Sequence, residues 1–178
     1  SMNAIINRDY VNFKDNIVQI DDHSELFNLL MGAISHENMA AVDHLMDRIV
    51  LRDDENESCL GMAANLPNLK VLFKLMDLGL PATEATSYQV VQYCELEPLK
   101  EYFLRTADLG DPLKLIIFSM LNTEFADVFP YVFECFFKKV SFVDGDEKEG
   151  FIKHIALFGS VEMLAEVPGT EDLVQGLK

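Results

Sequence analysis

Residues 57–80 read ESCLGMAANLPNLKVLFKLMDLGL and contain two amphipathic patterns on either side of a turn. The downstream pattern places apolar side chains at offsets 0, 3, 6 and 7: Leu69, Leu72, Leu75 and Met76. The upstream pattern begins nine residues earlier and consists of Leu60, Ala63 and Ala64. Because side chains three and four positions apart share one helix face, this stretch predicts two short helices with a turn at Pro67.

Both patterns recur together along the chain. The downstream sets are Met39/Val42/Leu45/Met46, Leu69/Leu72/Leu75/Met76, Leu96/Leu99/Tyr102/Phe103, Phe125/Val128/Tyr131/Val132 and Val161/Leu164/Val167/Pro168. The upstream sets are Leu30/Ala33/Ile34, Leu60/Ala63/Ala64, Ser87/Val90/Val91, Ile116/Ser119/Met120 and Ile152/Ile155/Ala156. The downstream sets start 30, 27, 29 and 36 residues apart. A period of this length indicates stacked helix–turn–helix units, since neither short helix can bury its stripe alone.

Local signals predict several helix ends. Asp111 followed by Pro112 is typical of an N-cap and a first helical residue, and Gly79 is typical of a helix C-terminus. Pro130 would lie five residues into a helix that began at Phe125, where its ring and missing N–H would disrupt the helix. Either that helix begins later or the fourth unit deviates from the others.

The residues of the 57–80 stretch resemble an ankyrin repeat. The matching positions are Leu60, Ala63, Ala64, Asn68, Leu72, Leu75, Met76 and Gly79. No unit keeps the family's Thr-Pro-Leu-His tetrapeptide, and three of the steps are shorter than the family's usual repeat. The resemblance implies an all-α solenoid of about five ankyrin-like units with shortened hairpin fingers, and a binding module without catalysis.

The chain of 178 residues, 49% hydrophobic, predicts one domain. We expect an N-terminal cap at residues 1–23, about five units at 24–168 and a C-terminal cap at 169–178. No stretch has the pattern of a secretion signal, and the longest apolar run, residues 115–121, is far shorter than a membrane span. Cys59, Cys94 and Cys135 fit neither a zinc site nor a disulfide framework. These features predict an intracellular, cytoplasmic protein, or one delivered into a host cytoplasm.

Acidic residues dominate the charge. The net charge is −16 with only 14 Lys and Arg, which argues against nucleic acid and anionic membrane as partners. Two clusters are predicted to lie in connections between units: Asp53, Asp54, Glu55 and Glu57, and then Asp144, Asp146, Glu147 and Glu149. They either keep the protein soluble or attract a protein with a basic surface.

Aromatic residues are concentrated in the fourth unit. Phe129, Phe133 and Phe137 form a row at i, i+4 spacing, beside the predicted core stripe. The row either fills the core next to the small Ser119 or lines an exposed groove that anchors a partner.

The sequence contains no set of residues that indicates catalysis, and we expect neither a metal nor a cofactor. His44 stands between Asp43 and Asp47, which share a helix face, but its side chain points about 100° away from that of Asp43. The function predicted is therefore an acidic adaptor or inhibitor of a basic protein, with an immunity-type or effector role open. The alternatives are an enzyme or enzyme regulatory fragment with an acidic groove for a cationic substrate, and a structural homodimer formed through the aromatic row; the protein itself is expected to be a monomer or weak homodimer.

Overall fold

The computed structural model describes residues 20–167, and this part of the chain forms ten α-helices and one short 3₁₀ helix without any strand. The predicted C-terminal cap, Pro168 and all but four residues of the predicted N-terminal cap lie outside the described residues. The helices are α1 (His23–Ser35), α2 (Met39–Met46), α3 (Asp53–Ala64), α4 (Lys70–Asp77), α5 (Glu84–Tyr93), α6 (Leu96–Arg105), α7 (Pro112–Met120), α8 (Val128–Phe136), α9 (Gly145–Phe158) and α10 (Val161–Glu166). The 3₁₀ helix (Phe137–Lys139) follows α8 directly. The prediction of an all-α protein is confirmed.

Helices pack both within pairs and between pairs. Within pairs, α1 packs on α2, α3 on α4, α7 on α8 and α9 on α10. Between pairs, the first helices pack in succession, α1 on α3, α3 on α5 and α5 on α7. Helix α8 also contacts α5, so the fourth pair covers part of the third.

Hydrogen bonds connect the turns of successive pairs. The side-chain amide of Asn68 donates to the carboxylate of Glu37 at 2.7 Å, and the backbone N–H of Glu95 donates to the carbonyl oxygen of Pro67 at 3.0 Å. Asn122 then donates to the carbonyl oxygens of Val91 at 3.1 Å and Cys94 at 3.0 Å. Each turn is thus tied to the preceding one, on the side where the first helices end.

The opposite ends of the first helices are also joined. At the start of α1, Nε2 of His23 lies 2.9 Å from Oε1 of Glu55, which belongs to the first turn of α3. Just before α7, the backbone N–H of Asp111 donates to the hydroxyl oxygen of Tyr88 on α5 at 2.9 Å. The starts of the first helices thus lie near one another, and so do the turns at their ends. The helices α1, α3, α5 and α7 therefore lie side by side and run in the same direction.

The predicted stripes form most of the core. Fully buried members include Leu30, Ile34, Leu60, Leu72 and Leu99, which come from three successive pairs. The stripe on α9 is narrower than predicted, because Ile155 is buried while Ala156 is exposed.

Helix ends follow the predicted signals, and the structure also shows where α8 begins. The carboxylate of Asp111 accepts a hydrogen bond from the N–H of Leu113, with Pro112 as the first helical residue. Gly79 follows α4 with φ of +101°, a left-handed conformation that glycine adopts without steric cost. Helix α8 begins at Val128 and not at Phe125, so Pro130 lies in its first turn, where an N–H has no partner within the helix.

Candidate interaction surfaces

The two predicted acidic clusters lie on helices, so the prediction that they form connecting loops is wrong. Asp53, Asp54 and Glu55 are the first three residues of α3, and Glu57 follows in the same helix. Asp144 is the N-cap of α9, and its carboxylate accepts a hydrogen bond from the N–H of Glu147 at 2.8 Å; Asp146, Glu147 and Glu149 are inside this helix. Carboxylates are favourable there because they interact with the partial positive charge of a helix N-terminus.

Glu55 differs from its neighbours because its side chain is only 5% exposed. Its Oε1 accepts a hydrogen bond from Nη2 of Arg52 at 2.7 Å, and its Oε2 accepts one from the Arg52 backbone N–H at 3.0 Å. The hydrogen bonds from Arg52 lower the pKa of Glu55 to about 2, and the bond with His23 acts in the same direction. Glu55 therefore connects α1 to α3 and does not belong to an exposed binding surface.

Exposed carboxylates collect where the first helices begin. We call this surface the acidic edge. It consists of nine exposed residues: Asp21, Asp22, Glu25, Asp53, Asp54, Glu57, Glu84, Asp108 and Asp111. They precede or belong to the first two turns of α1, α3, α5 and α7. His23 contacts Glu55 between α1 and α3, Glu57 of α3 lines one hollow with Thr83 and Ala85 at the start of α5, and Tyr88 of α5 bonds to Asp111 before α7. Four segments far apart in sequence thus form one negative surface.

Asp53, Asp54 and Glu57 are the members of this edge that were predicted as a binding surface. The other members are divided among the starts of three helices: three at α1, one at α5 and two before α7. A signal was nevertheless present, because one or more acidic residues begin each of these helices.

Arg48, Arg52 and His23 near the acidic edge already have carboxylate or carbonyl partners, whereas Lys114 lies over the ring of Tyr88 at 5.9 Å. Arg48 donates to the carbonyl oxygen of Ile20 at 2.7 Å and lies 3.6 Å from Asp21, while Arg52 and His23 contact Glu55. Among residues 20–167, Asp21 is the one edge residue that forms an ion pair, while Asp22, Asp108 and Asp111 accept hydrogen bonds from backbone N–H groups. The other five carboxylates have neither contact within this range: Glu25, Asp53, Asp54, Glu57 and Glu84. The edge therefore retains negative charge that is available to an external partner.

The aromatic row is covered by the protein itself. Phe129 and Phe133 are 7% and 2% exposed, so the prediction that they line an open groove is wrong and the core-filling interpretation is correct for both. The rings of Phe129 and Phe133 meet edge to face, with centroids 6.3 Å apart, and Phe133 stacks on Phe137 at 5.0 Å. Because of this burial, Phe133 offers almost no exposed surface for a contact with a second chain. Phe137 is the partly exposed end of the row.

Phe137 lines a cleft between the fourth and fifth pairs. We call it the C-terminal cleft; its volume is about 380 Å³. The residues that line it are Phe137, Lys138, Val140, Phe142, Lys148 and Glu166. The three apolar side chains form its walls, and the charged side chains complete its lining.

Histidines and cysteines do not converge on a common centre in the described part of the chain. No group of three or more His, Cys, Asp and Glu residues within 20–167 is placed to hold a metal ion. Nδ1 of His154 lies 2.7 Å from the carbonyl oxygen of Gly150 in its own helix. The three cysteines are free thiols, and burial raises the pKa of both Cys59 and Cys94 to about 12.

The helices between residues 20 and 167 include none with the length and apolar character needed to cross a membrane. Comparisons with family models, with curated proteins and with solved structures found no match to this chain. The class of the protein is thus defined by its architecture alone: an all-helical protein of paired short helices whose first helices lie side by side.

Proposed function

We propose that this protein is a non-catalytic protein–protein interaction module whose acidic edge binds the basic surface of a partner protein. The proposal rests on nine exposed carboxylates from four helix starts that lie on one edge. The nearby arginines, Arg48 and Arg52, already contact carboxylates of this chain. In this proposal the protein acts inside a cell as an adaptor or inhibitor that covers a basic surface.

The paired architecture supports this function. Successive packing of α1, α3, α5 and α7, together with the bonds between turns, is what an ankyrin-like solenoid of about five units requires. Solenoids of this kind present extended surfaces along their helix ends, and the acidic edge extends over at least four such ends. We propose this solenoid as the scaffold that presents the edge.

Charge complementarity determines how fast the proposed complex forms and how its association rate depends on salt. Charge complementarity accelerates association and makes it sensitive to salt, whereas the affinity also depends on buried contacts. We therefore expect fast association with a basic partner at low ionic strength and a marked loss of rate as salt is added.

The test compares two charge-reversed variants that have the same net charge. The first, Asp54→Lys/Glu57→Lys/Glu84→Lys, changes three exposed acids of the edge. The matched control, Glu124→Lys/Glu134→Lys/Glu162→Lys, changes three exposed acids elsewhere. Wild type and both variants are used for affinity capture from a lysate of the source cells at low salt, followed by mass spectrometry and by association kinetics with the recovered protein.

We expect wild type and the control variant to capture the same basic protein, and the edge variant to lose it mainly through slower association. Equal capture by both variants would remove the acidic edge as the binding surface. Recovery of a partner that has no basic surface would contradict the proposed function itself.

A further inference from the structure

The aromatic walls of the C-terminal cleft pack against buried aromatic rings. The ring of Phe137 stacks on buried Phe133 with centroids 5.0 Å apart, and the ring of Phe142 lies 5.5 Å from the ring of buried Phe151. Val140 stands between these two aromatic walls in the sequence and also lines the cleft. The cleft is therefore a preformed apolar surface, which is the usual property of a small-molecule site.

Two lysines that line the cleft have no acidic partner among residues 20–167. Among the described residues, neither Lys138 nor Lys148 forms an ion pair, although the chain has 30 Asp and Glu against 14 Lys and Arg. Two positive charges beside an apolar wall, in so acidic a protein, indicate that the cleft attracts an anion.

Three of the four carboxylates closest in sequence to Lys148 have other partners, and the fourth, Asp146, is exposed and forms no ion pair with Lys148. Asp144 caps α9, Glu147 accepts a hydrogen bond from the N–H of Val143 at 2.6 Å, and Glu149 lies 2.8 Å from Nζ of Lys153. These contacts explain why three acids so near Lys148 leave it unpaired. The positive charge of the lining is opposed only by Glu166, which is exposed.

The charge and volume of the cleft limit the charge and the size of a ligand that fits it. Two lysines and one glutamate give the lining a formal charge of about +1, which matches a monoanion better than a phosphate dianion. An apolar cavity of about 150 Å³ holds the six carbon atoms of one benzene molecule, so a cleft of about 380 Å³ has room for roughly fifteen and accommodates a chain of about ten.

We propose that the C-terminal cleft binds a small amphipathic monocarboxylate, whose apolar tail lies against Phe137, Val140 and Phe142 and whose carboxylate lies between Lys138 and Lys148. This site is independent of the acidic edge, so either surface can fail its test without affecting the other.

The test titrates the whole protein with decanoate, below its micelle-forming concentration, in an isothermal titration calorimeter. Decan-1-ol serves as the uncharged analogue. The variants are Lys138→Gln, Lys148→Gln and Glu166→Gln, and the matched control is Lys70→Gln, which changes an exposed lysine at the start of α4. Far-ultraviolet circular dichroism checks that each variant keeps the helical fold.

We expect one saturable decanoate site per chain, affinity weakened roughly three- to tenfold by each cleft lysine variant, and no change with Lys70→Gln. Glu166→Gln removes the opposing charge and should strengthen binding about twofold or more, a gain that a misfolded variant cannot produce. Absence of saturable binding, equal affinity for decan-1-ol, or cleft lysine variants that behave like Lys70→Gln would each overturn the proposal.

Discussion

The hydroxyl groups of Ser87 on α5 and Tyr102 on α6 lie 2.7 Å apart inside the protein, and both side chains are fully buried. This bond joins the two helices of the third pair. The position of Ser87 is apolar in the other units, and that of Tyr102 is Leu or Val in three units and Tyr131 in the fourth. A polar pair is tolerated there because each hydroxyl satisfies the other.

Separating this pair should destabilise the protein. Ser87→Ala leaves the buried phenol without this partner, and Tyr102→Phe leaves the serine hydroxyl without it, so we expect each to lower the free energy of unfolding by about 1–2 kcal/mol. The double variant should cost less than the sum of the two, by about 1 kcal/mol, because no polar group is then left unpaired. Urea unfolding of all four proteins measures this coupling, and strictly additive losses would show that the bond contributes nothing.

Asn122 is predicted to be the most sensitive polar residue of the turns. It is 5% exposed, donates to the carbonyl oxygens of Val91 and Cys94, and accepts from the N–H of Phe125. Asn122→Ala leaves three backbone groups without this partner, so we expect a loss of about 3 kcal/mol in the free energy of unfolding. The neighbouring exposed Thr123→Ala should stay within about 0.5 kcal/mol of wild type, and a similar loss in both variants would contradict the role of Asn122.

Stability should fall in acid partly through Glu55. Its pKa of about 2 in the folded protein lies below the ordinary value of 4.5, so its contribution is fully present above about pH 4.5 and is lost as pH falls toward 2. Glu55→Gln should therefore show a weaker dependence of melting temperature on pH in this window. Exposed Glu57→Gln is the control and should keep the wild-type slope, which is measured by thermal unfolding at a series of pH values. Identical slopes for Glu55→Gln and wild type would show that Arg52 and His23 do not hold the ionised carboxylate.

Two glycines should respond in opposite ways to the same substitution. Gly79→Ala places a side chain on backbone with φ of +101°, so we expect a loss of about 1–2 kcal/mol even though no atom crowds the new Cβ. Gly150 lies inside α9 with open space around it, and Gly150→Ala should raise the free energy of unfolding by up to about 1 kcal/mol. Chemical denaturation of both variants measures the two effects, and a gain for Gly79→Ala would contradict the left-handed turn after α4.

The helices were predictable because their signals are local. Spacings of three and four residues in sets such as Leu60, Ala63 and Ala64 identify a buried helix face whatever the helix packs against. The N-cap Asp111 and the following Pro112 act within one helical turn, and the helix start that they predict is confirmed. The sequence did not decide where α8 begins, because Phe125 fits the apolar spacing of the stripe. In the structure the N–H of Phe125 donates to the side chain of Asn122, outside the helix.

The candidate surfaces were predicted less well, because exposure depends on neighbours remote in sequence. Glu55 has the same charge and local sequence context as Asp54, yet it is buried by contacts that include His23, 32 residues away. Phe133 was a candidate for an open groove, and it is covered because its ring packs between Phe129 and Phe137 within a buried row. Neither outcome follows from the helical periodicity.

The sequence by itself determined that the chain forms short paired helices, which of their faces are apolar and that the protein is strongly acidic, since these are properties of local spacing and composition. Only the tertiary structure decided which charges remain unpaired and where they gather. Contacts between residues about 30 positions apart, such as His23 with Glu55, bring the starts of the first helices together along one edge. The packing of the last two pairs leaves Lys138 and Lys148 beside an apolar cleft. The physical reason is that burial and ion pairing depend on which helices become neighbours, and a one-dimensional pattern does not specify this.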